Sequence, residues 1–281
     1  MKRLLVVLPA AVLVSSCSVM DILGPRPNAE IMALAKQASA DGISLIGDGA
    51  DPATAATLRR TQADQLVEEA RRLCGTDSSG QAPTSCPTGY GDTDLPAGAV
   101  DEASLIDQVR AGAVAAAEKV PDDSVDLVVA QAVDVVALQP VDLSGDSSDS
   151  SVSSVSVSDT SDLAAAHALL HREFAVEYGL DMAAAFADSE LAARIEALRA
   201  ASMQRRAALT AILEPSGDVP LPAAGYELVT GGAPTGTEQA RALVDELHSQ
   251  LVTAWREAAA DALSATWRRA AIDLAAHAQR S

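Results

Sequence analysis

The 281-residue chain is long enough for two domains with their own cores. Its 39 acidic residues against 20 basic ones give a net charge of −19, which argues against a nucleic-acid partner and against a polybasic hold on anionic lipid. Aromatic residues make up 2% and alanine is abundant, so the composition points to helices that pack closely while each side chain buries little area.

Lys2 and Arg3 precede an apolar run over residues 4–14, too short to span a bilayer as a helix. Val14-Ser15-Ser16-Cys17 follows. These four residues resemble the lipobox of bacterial lipoproteins, in which a peptidase cuts before a cysteine that carries lipid. The resemblance implies a signal peptide over 1–16, an acylated Cys17 and a protein held on the extracytoplasmic face of the cell membrane. Two acyl chains on one residue anchor stably where one does not. An ordinary secretory signal with an incidental Cys17 is the alternative. Loss of Lys2 and Arg3 with the leader leaves 18 basic against 39 acidic residues, a net −21. Residues 17–27 read as a short tether, stiffened by Pro25 and Pro27.

An N-terminal helical region is expected over 28–143. Ile31, Leu34, Ala35, Ala38, Leu45 and Ile46 give residues 28–46 a helical spacing, interrupted at Gly42. Asp51-Pro52 is a capping side chain followed by proline at the first helical position. That helix should carry Leu58, Leu66 and Leu73 as its stripe and stop at Gly75. Two more helices are expected over 101–120 and 122–138, separated by Pro121. Residues 125–138 are apolar enough for a strand, but their flanks favour helix. Cys74 and Cys86 enclose eleven Gly-, Ser- and Pro-rich residues. In an exported chain they fit a disulfide, which would stabilise by about 2–3 kcal/mol. A metal or redox pair is the competing reading, without a Cys-x-x-Cys spacing or a nearby histidine to support it.

Residues 144–161 are mostly Ser and Asp with isolated Val152, Val155 and Val157, and read as a flexible acidic spacer. Beyond it, two Ala-rich helices should run to Leu213 with a turn near Ala187 and Asp188. On the first, Leu163, Leu170, Phe174, Glu177 and Asp181 share one arc, with His167 at its edge. On the second, Leu191, Ile195, Leu198, Ser202, Arg205, Leu209 and Leu213 do. Glu177 and Asp181 are therefore expected on a buried face, opposite Ser202. A buried carboxylate needs a partner, and Arg205, Arg194 or a metal could serve. A long crossover over 215–236 leads to a helix carrying Ala240, Leu243, Val244, Leu247, Leu251 and Trp255. A turn near Ala260 and Asp261 would start a last helix with Leu263, Trp267, Ala270, Leu274 and His277. No Gly or Pro enforces that turn, so one continuous helix is the alternative.

The run Glu173-Phe174-Ala175-Val176-Glu177-Tyr178-Gly179, with 198–213 around Arg205-Arg206, resembles the ferritin-like helical bundle domain of uncharacterised actinobacterial lipoproteins. The resemblance implies an all-α fold: a ferritin-like four-helix bundle over 162–281 behind an N-terminal helical region stapled by one disulfide. The family often places histidine where Phe174 and Ser202 stand here, so two nitrogen ligands are gone. Di-iron bundles of this kind use Glu-x-x-His pairs, and this chain has no Glu-x-x-His.

The inward polar residues open to a metal are Glu177, Asp181, His167, Asp273 and His277. Asp273 and His277 share a helix face at i,i+4. Ion pairs with Arg194, Arg205 or Arg268 are the plainer use of these groups. His167 and His171, also i,i+4, could hold zinc loosely but suit a solvated helix start. No nucleophile elbow or phosphate-cradling loop is present. The expected function is a non-catalytic envelope lipoprotein, with neither cofactor nor metal, that binds or scaffolds an envelope protein or lipid. A di-iron oxidoreductase is one alternative. The other is a carrier of an apolar molecule, with a cavity lined by Phe174, Phe186 and Trp255.

Overall fold

The structure is a computed structural model that describes residues 24–47, 52–76, 80–143, 152, 155–227 and 232–281. The lipobox and Cys17 lie outside the described residues. Among the described residues there are eight α-helices, three single-turn 3-10 segments and no strand. The apolar run after Pro121 is helical, and the disulfide Cys74–Cys86 is formed, with Cα atoms 6.4 Å apart.

Local chemistry explains most helix ends. Asn28 accepts from the Glu30 and Ile31 amides to start α1 (Ala29–Ser44). Gly42 does not interrupt that helix. It lets α1 approach α2 (Pro52–Cys74), since a Cβ there would lie 3.2 Å from the Ala56 carbonyl oxygen. Gly75, at φ +71°, ends α2 in the left-handed region that glycine tolerates. Asp101 and Ser104 form a capping box at α3 (Glu102–Ala116), and Pro121 precedes α4 (Asp122–Val136). Asp159 caps α5 (Thr160–Ala184), and Asp188 caps α6 (Ser189–Leu213) after a tight turn.

The last two helices, α7 (Thr237–Ala260) and α8 (Ala265–Arg280), are separate. Their break is enforced from a distance. The buried Asp162 at the start of α5 accepts from the Leu263 amide at 2.8 Å and the Ser264 amide at 2.9 Å. It also accepts from the Ser264 hydroxyl at 2.6 Å, and Ser264 in turn caps α8. Such charge-assisted bonds to backbone amides supply the turn signal that the local sequence lacks.

Helix α5 packs on α6 and α7, α7 packs on α8, and α6 also touches α8. Thr237 at the start of α7 donates to the Phe186 carbonyl at the α5–α6 turn. The crossover from α6 therefore runs the length of the bundle, and α6 and α7 lie parallel.

Helix α8 also packs against α3 and α4, and α7 against α4. Every residue from Ala270 to Ala276 is buried, as is Ala278, so the middle of α8 is enclosed on all sides. Arg110 of α3 meets Asp273 of α8 at 2.8 Å, and Arg256 of α7 pairs with Asp134 of α4. One hydrophobic core runs from Ile31 to Ala278. That shared core replaces the separate cores expected on either side of the acidic spacer. Small side chains on α8 let both halves close on one helix. Within the spacer, Val152 is buried, and Val155 and Val157 pack against the core.

A fragment of residues 162–281 should therefore lose cooperative melting, because the α3- and α4-facing side of α8 would stand in water. Circular dichroism and calorimetry on the fragment and the full chain check this. A sharp transition in the fragment would show that α5–α8 need no support.

Candidate functional site

The burial pattern on α5 decides which carboxylate is enclosed. Its buried positions are Asp162, Ala166, Leu169, Leu170, Glu173, Val176, Gly179, Leu180 and Ala183. This row lies about one residue, or 100°, from the arc anchored on Phe174 and Glu177. The large Leu163 and Phe174 sit half-buried on its flank, while Ala166, Gly179 and Ala183 face the neighbouring helices. A Cβ on Gly179 would come within 2.5 Å of Leu247 Cδ1. In this Ala-rich bundle, small residues rather than large ones mark the closest contacts.

Glu173 is consequently fully enclosed, and Arg205 of α6 stands opposite at 1% side-chain exposure. Arg205 Nε donates to Glu173 Oε1 at 2.6 Å, and Nη2 donates to Oε2 at 3.2 Å. Ser202 Oγ donates to Oε2 at 2.7 Å, and the buried indole Nε1–H of Trp255 donates to Oε1 at 2.9 Å. Each carboxylate oxygen thus accepts two hydrogen bonds, which is its full capacity. A charge this deep is tolerated only when paired and hydrogen-bonded in this way.

The remaining face of Arg205 meets α8. Its Nη1 lies 3.2 Å from His277 Nδ1 and 3.2 Å from Ser281 Oγ. Because guanidinium only donates, Nδ1 must accept, so the proton is assigned to Nε2, which donates to Gln204 Oε1 at 2.9 Å. Burial, then the Arg205 charge, push the His277 pKa down to about 4, against an upward pull from Glu173. His277 is therefore neutral near pH 7.

Of the residues expected in a buried polar cluster, Ser202 and Arg205 are there. Glu177, Asp181 and Arg194 are not. Glu177 is 36% exposed and takes a two-pronged contact from Arg206, whose guanidinium also lies 5.4 Å from the Phe174 ring centre. Asp181 is 64% exposed and pairs with Arg199. Arg194 pairs with Asp245 at 2.6 Å on the outside of the bundle. Surface pairs of this sort contribute at most about 1 kcal/mol.

Asp273 and His277 do not share a partner. Asp273 faces Arg110, while His277 faces Arg205 and Gln204. His167 lies 3.9 Å from Asp218, and His171 is exposed. Arg268 is buried and donates to the Ala262 carbonyl. Among the described residues no group of three or more His, Cys, Asp or Glu is placed to hold a metal.

Sequence reasoning missed Glu173, and it missed a second buried pair, Asp41 of α1 with Arg59 of α2. The spacing did carry a signal for Arg59. It falls three to four residues from Ala55, Ala56, Gln62 and Ala63, on the buried row of α2 that leads to Leu66.

Two measurements test this account. Arg205→Met leaves Glu173 buried without its cation and should cost about 3–5 kcal/mol, with Glu173→Leu comparable. The double variant should lose much less than the sum, and additive losses in urea unfolding would show that the pair is uncoupled. The second concerns pH. Between the ordinary 6.5 and the folded value of about 4, the unfolded chain binds protons at position 277 that the native protein refuses. His277 therefore removes stability as pH falls through that window. His277→Gln should flatten that part of the stability profile, whereas an unchanged slope would mean that His277 protonates freely in the native state.

Compared with known proteins, this chain matches no protein-family model, no curated protein and no solved structure.

Proposed function

We propose that this is a non-catalytic cell-envelope lipoprotein, anchored through lipid on Cys17 at the extracytoplasmic face of the membrane. On this reading α5–α8 are a ferritin-like bundle that has exchanged metal ligands for an ion pair. Its role is to bind or scaffold another envelope protein or lipid.

The observation that carries the proposal is the saturation of Glu173. A metal-bearing bundle of this type projects carboxylates and Glu-x-x-His pairs inward with coordination sites to spare. Here Arg205, Ser202 and Trp255 occupy every acceptor position of the one carboxylate at the bundle centre. The enclosed carboxylate of α8, Asp273, is paired with Arg110. Displacing Arg205 to admit a cation would bury a free guanidinium, which is costly. The long crossover between parallel α6 and α7 supports the ferritin-like assignment, and the Cys74–Cys86 bond supports an oxidising compartment.

A carrier function at Phe174, Phe186 and Trp255 gains no such support. Trp255 is buried against Glu173, while Phe186 is exposed at the α5–α6 turn.

The full chain, expressed in a bacterium that processes lipoproteins, should incorporate radiolabelled fatty acid and fractionate with membranes. Cys17→Ala should abolish both. Protein purified anaerobically should carry far less than one iron per chain. Equal labelling of Cys17→Ala would remove the anchor, and stoichiometric iron that disappears with Glu173→Gln would replace the scaffold by a metal enzyme.

A further inference from the structure

A cleft of about 350 Å³ opens among α1, α2, α3 and α4, remote in sequence from the bundle centre. Its size falls at the low end of small-molecule sites, roughly 300–1,000 Å³. Leu34, Leu66 and Val128 contribute apolar wall. Into this wall are set Arg59, Gln108 and Gln131, and their unused hydrogen-bonding capacity defines what could bind.

Arg59 is only 4% exposed. Its Nε and Nη2 donate to Asp41 Oδ2 at 3.1 and 3.0 Å, and Nη1 donates to Gln62 Oε1 at 2.6 Å. Three of the five guanidinium N–H groups are thereby used, and two have no partner among the described residues. Asp41 is fully buried, and its other oxygen accepts from Gln37 and from the Ala99 amide, both at 3.0 Å. The carboxylate is saturated and the pair is electrically neutral. Gln131 gives its side-chain amide protons to the Gln62 backbone carbonyl and to Gln65, which leaves its side-chain oxygen Oε1 as an acceptor. No side-chain hydrogen bond of Gln108 occurs among the described residues, so it offers both a donor and an acceptor.

Gly112 sharpens the picture. It lines the cleft from inside α3, where glycine weakens a helix relative to alanine. A Cβ at this position would meet no atom within 4 Å. The space above Gly112 is therefore open cleft, with no packing contact to explain the glycine.

We propose that this cleft binds a small neutral amphiphile, with an aliphatic body on the leucine and valine wall and one hydroxyl or carbonyl head at Arg59, Gln108 and Gln131. An anionic head would find the Arg59 charge already cancelled by Asp41. A cationic head would find no carboxylate with an acceptor to spare. Either would lose its hydration without a countercharge. The proposal does not depend on how the chain is anchored or on whether α5–α8 hold a metal.

The test is calorimetric titration of the purified full chain with 1-octanol, octanoate and octyltrimethylammonium. The alcohol should bind saturably at one site, and both ions should bind at least roughly tenfold more weakly because their charges are buried unpaired. Gly112→Leu fills the cleft, so it should keep the helical spectrum and melting temperature yet weaken octanol binding roughly tenfold or more. Gln108→Leu removes a side chain on which no other group depends, and should weaken octanol roughly three- to tenfold through the lost hydrogen bond. No saturable binding of octanol, as from a cleft that holds water alone, overturns the proposal. So does equal binding by Gly112→Leu and Gln108→Leu, or an ion bound as tightly as the alcohol.

Discussion

Close approach between helix backbones is the constraint on which this fold depends. With aromatics at 2%, the chain cannot fill wide gaps between helices with large rings. It brings the helices together instead. Helix α8 presents Ala270, Ala271, Ala275, Ala276 and Ala278 around Ile272 and Leu274, and every one of them is buried. Individual dispersion contacts are weak, so such a core depends on a large number of them at short range. Gly42 and Gly179 extend the same device to the α1–α2 and α5–α7 contacts. Trp255 and Trp267 are the large exceptions, and both are fully enclosed.

A core built at this distance traps polar side chains along with apolar ones. Six of the trapped charges form three matched pairs on different helices: Asp41 with Arg59, Arg110 with Asp273, and Glu173 with Arg205. Buried pairs of this kind add little net stability over apolar replacements, yet a mispaired register would leave two charges stranded. They therefore act as register marks between helices. Arg110–Asp273 sets how α3 meets α8, while Glu173 ties α5 to α6 and, through Trp255, to α7. Arg205 then carries the connection onward to His277 on α8.

Most of the helices were legible in the sequence because their ends are written locally, as at Asn28, Pro52, Gly75, Asp101, Pro121 and Asp188. The α7–α8 turn falls where the pattern placed it, near Ala260 and Asp261, but what enforces it was not legible, because that signal is Asp162, about a hundred positions away in the chain. The site was half legible. Ser202 and Arg205 lie on a row with Leu191, Ile195 and Leu198, and large apolar residues located that face correctly. On α5 the same rule failed. Phe174 and Leu163 drew the expected face towards themselves, whereas the interface follows Ala166, Gly179 and Ala183. Where alanine is the packing residue, side-chain size is a poor guide to which way a helix faces. The joining of the two halves through α8 was also invisible, because alanines do not reveal how many neighbouring helices pack against them.

The placement of α8 has a consequence for the order in which the molecule assembles. Arg110 and Asp273 are 163 residues apart along the chain, and Asp162 is separated from Ser264 by 102. Contacts of such separation close late, since the loop entropy must be met before they form. During synthesis α1–α4 emerge first but lack the helix that covers one side of α3 and α4. Until α8 arrives, that side is an apolar surface without a partner, and the native interior cannot close before α8 is made.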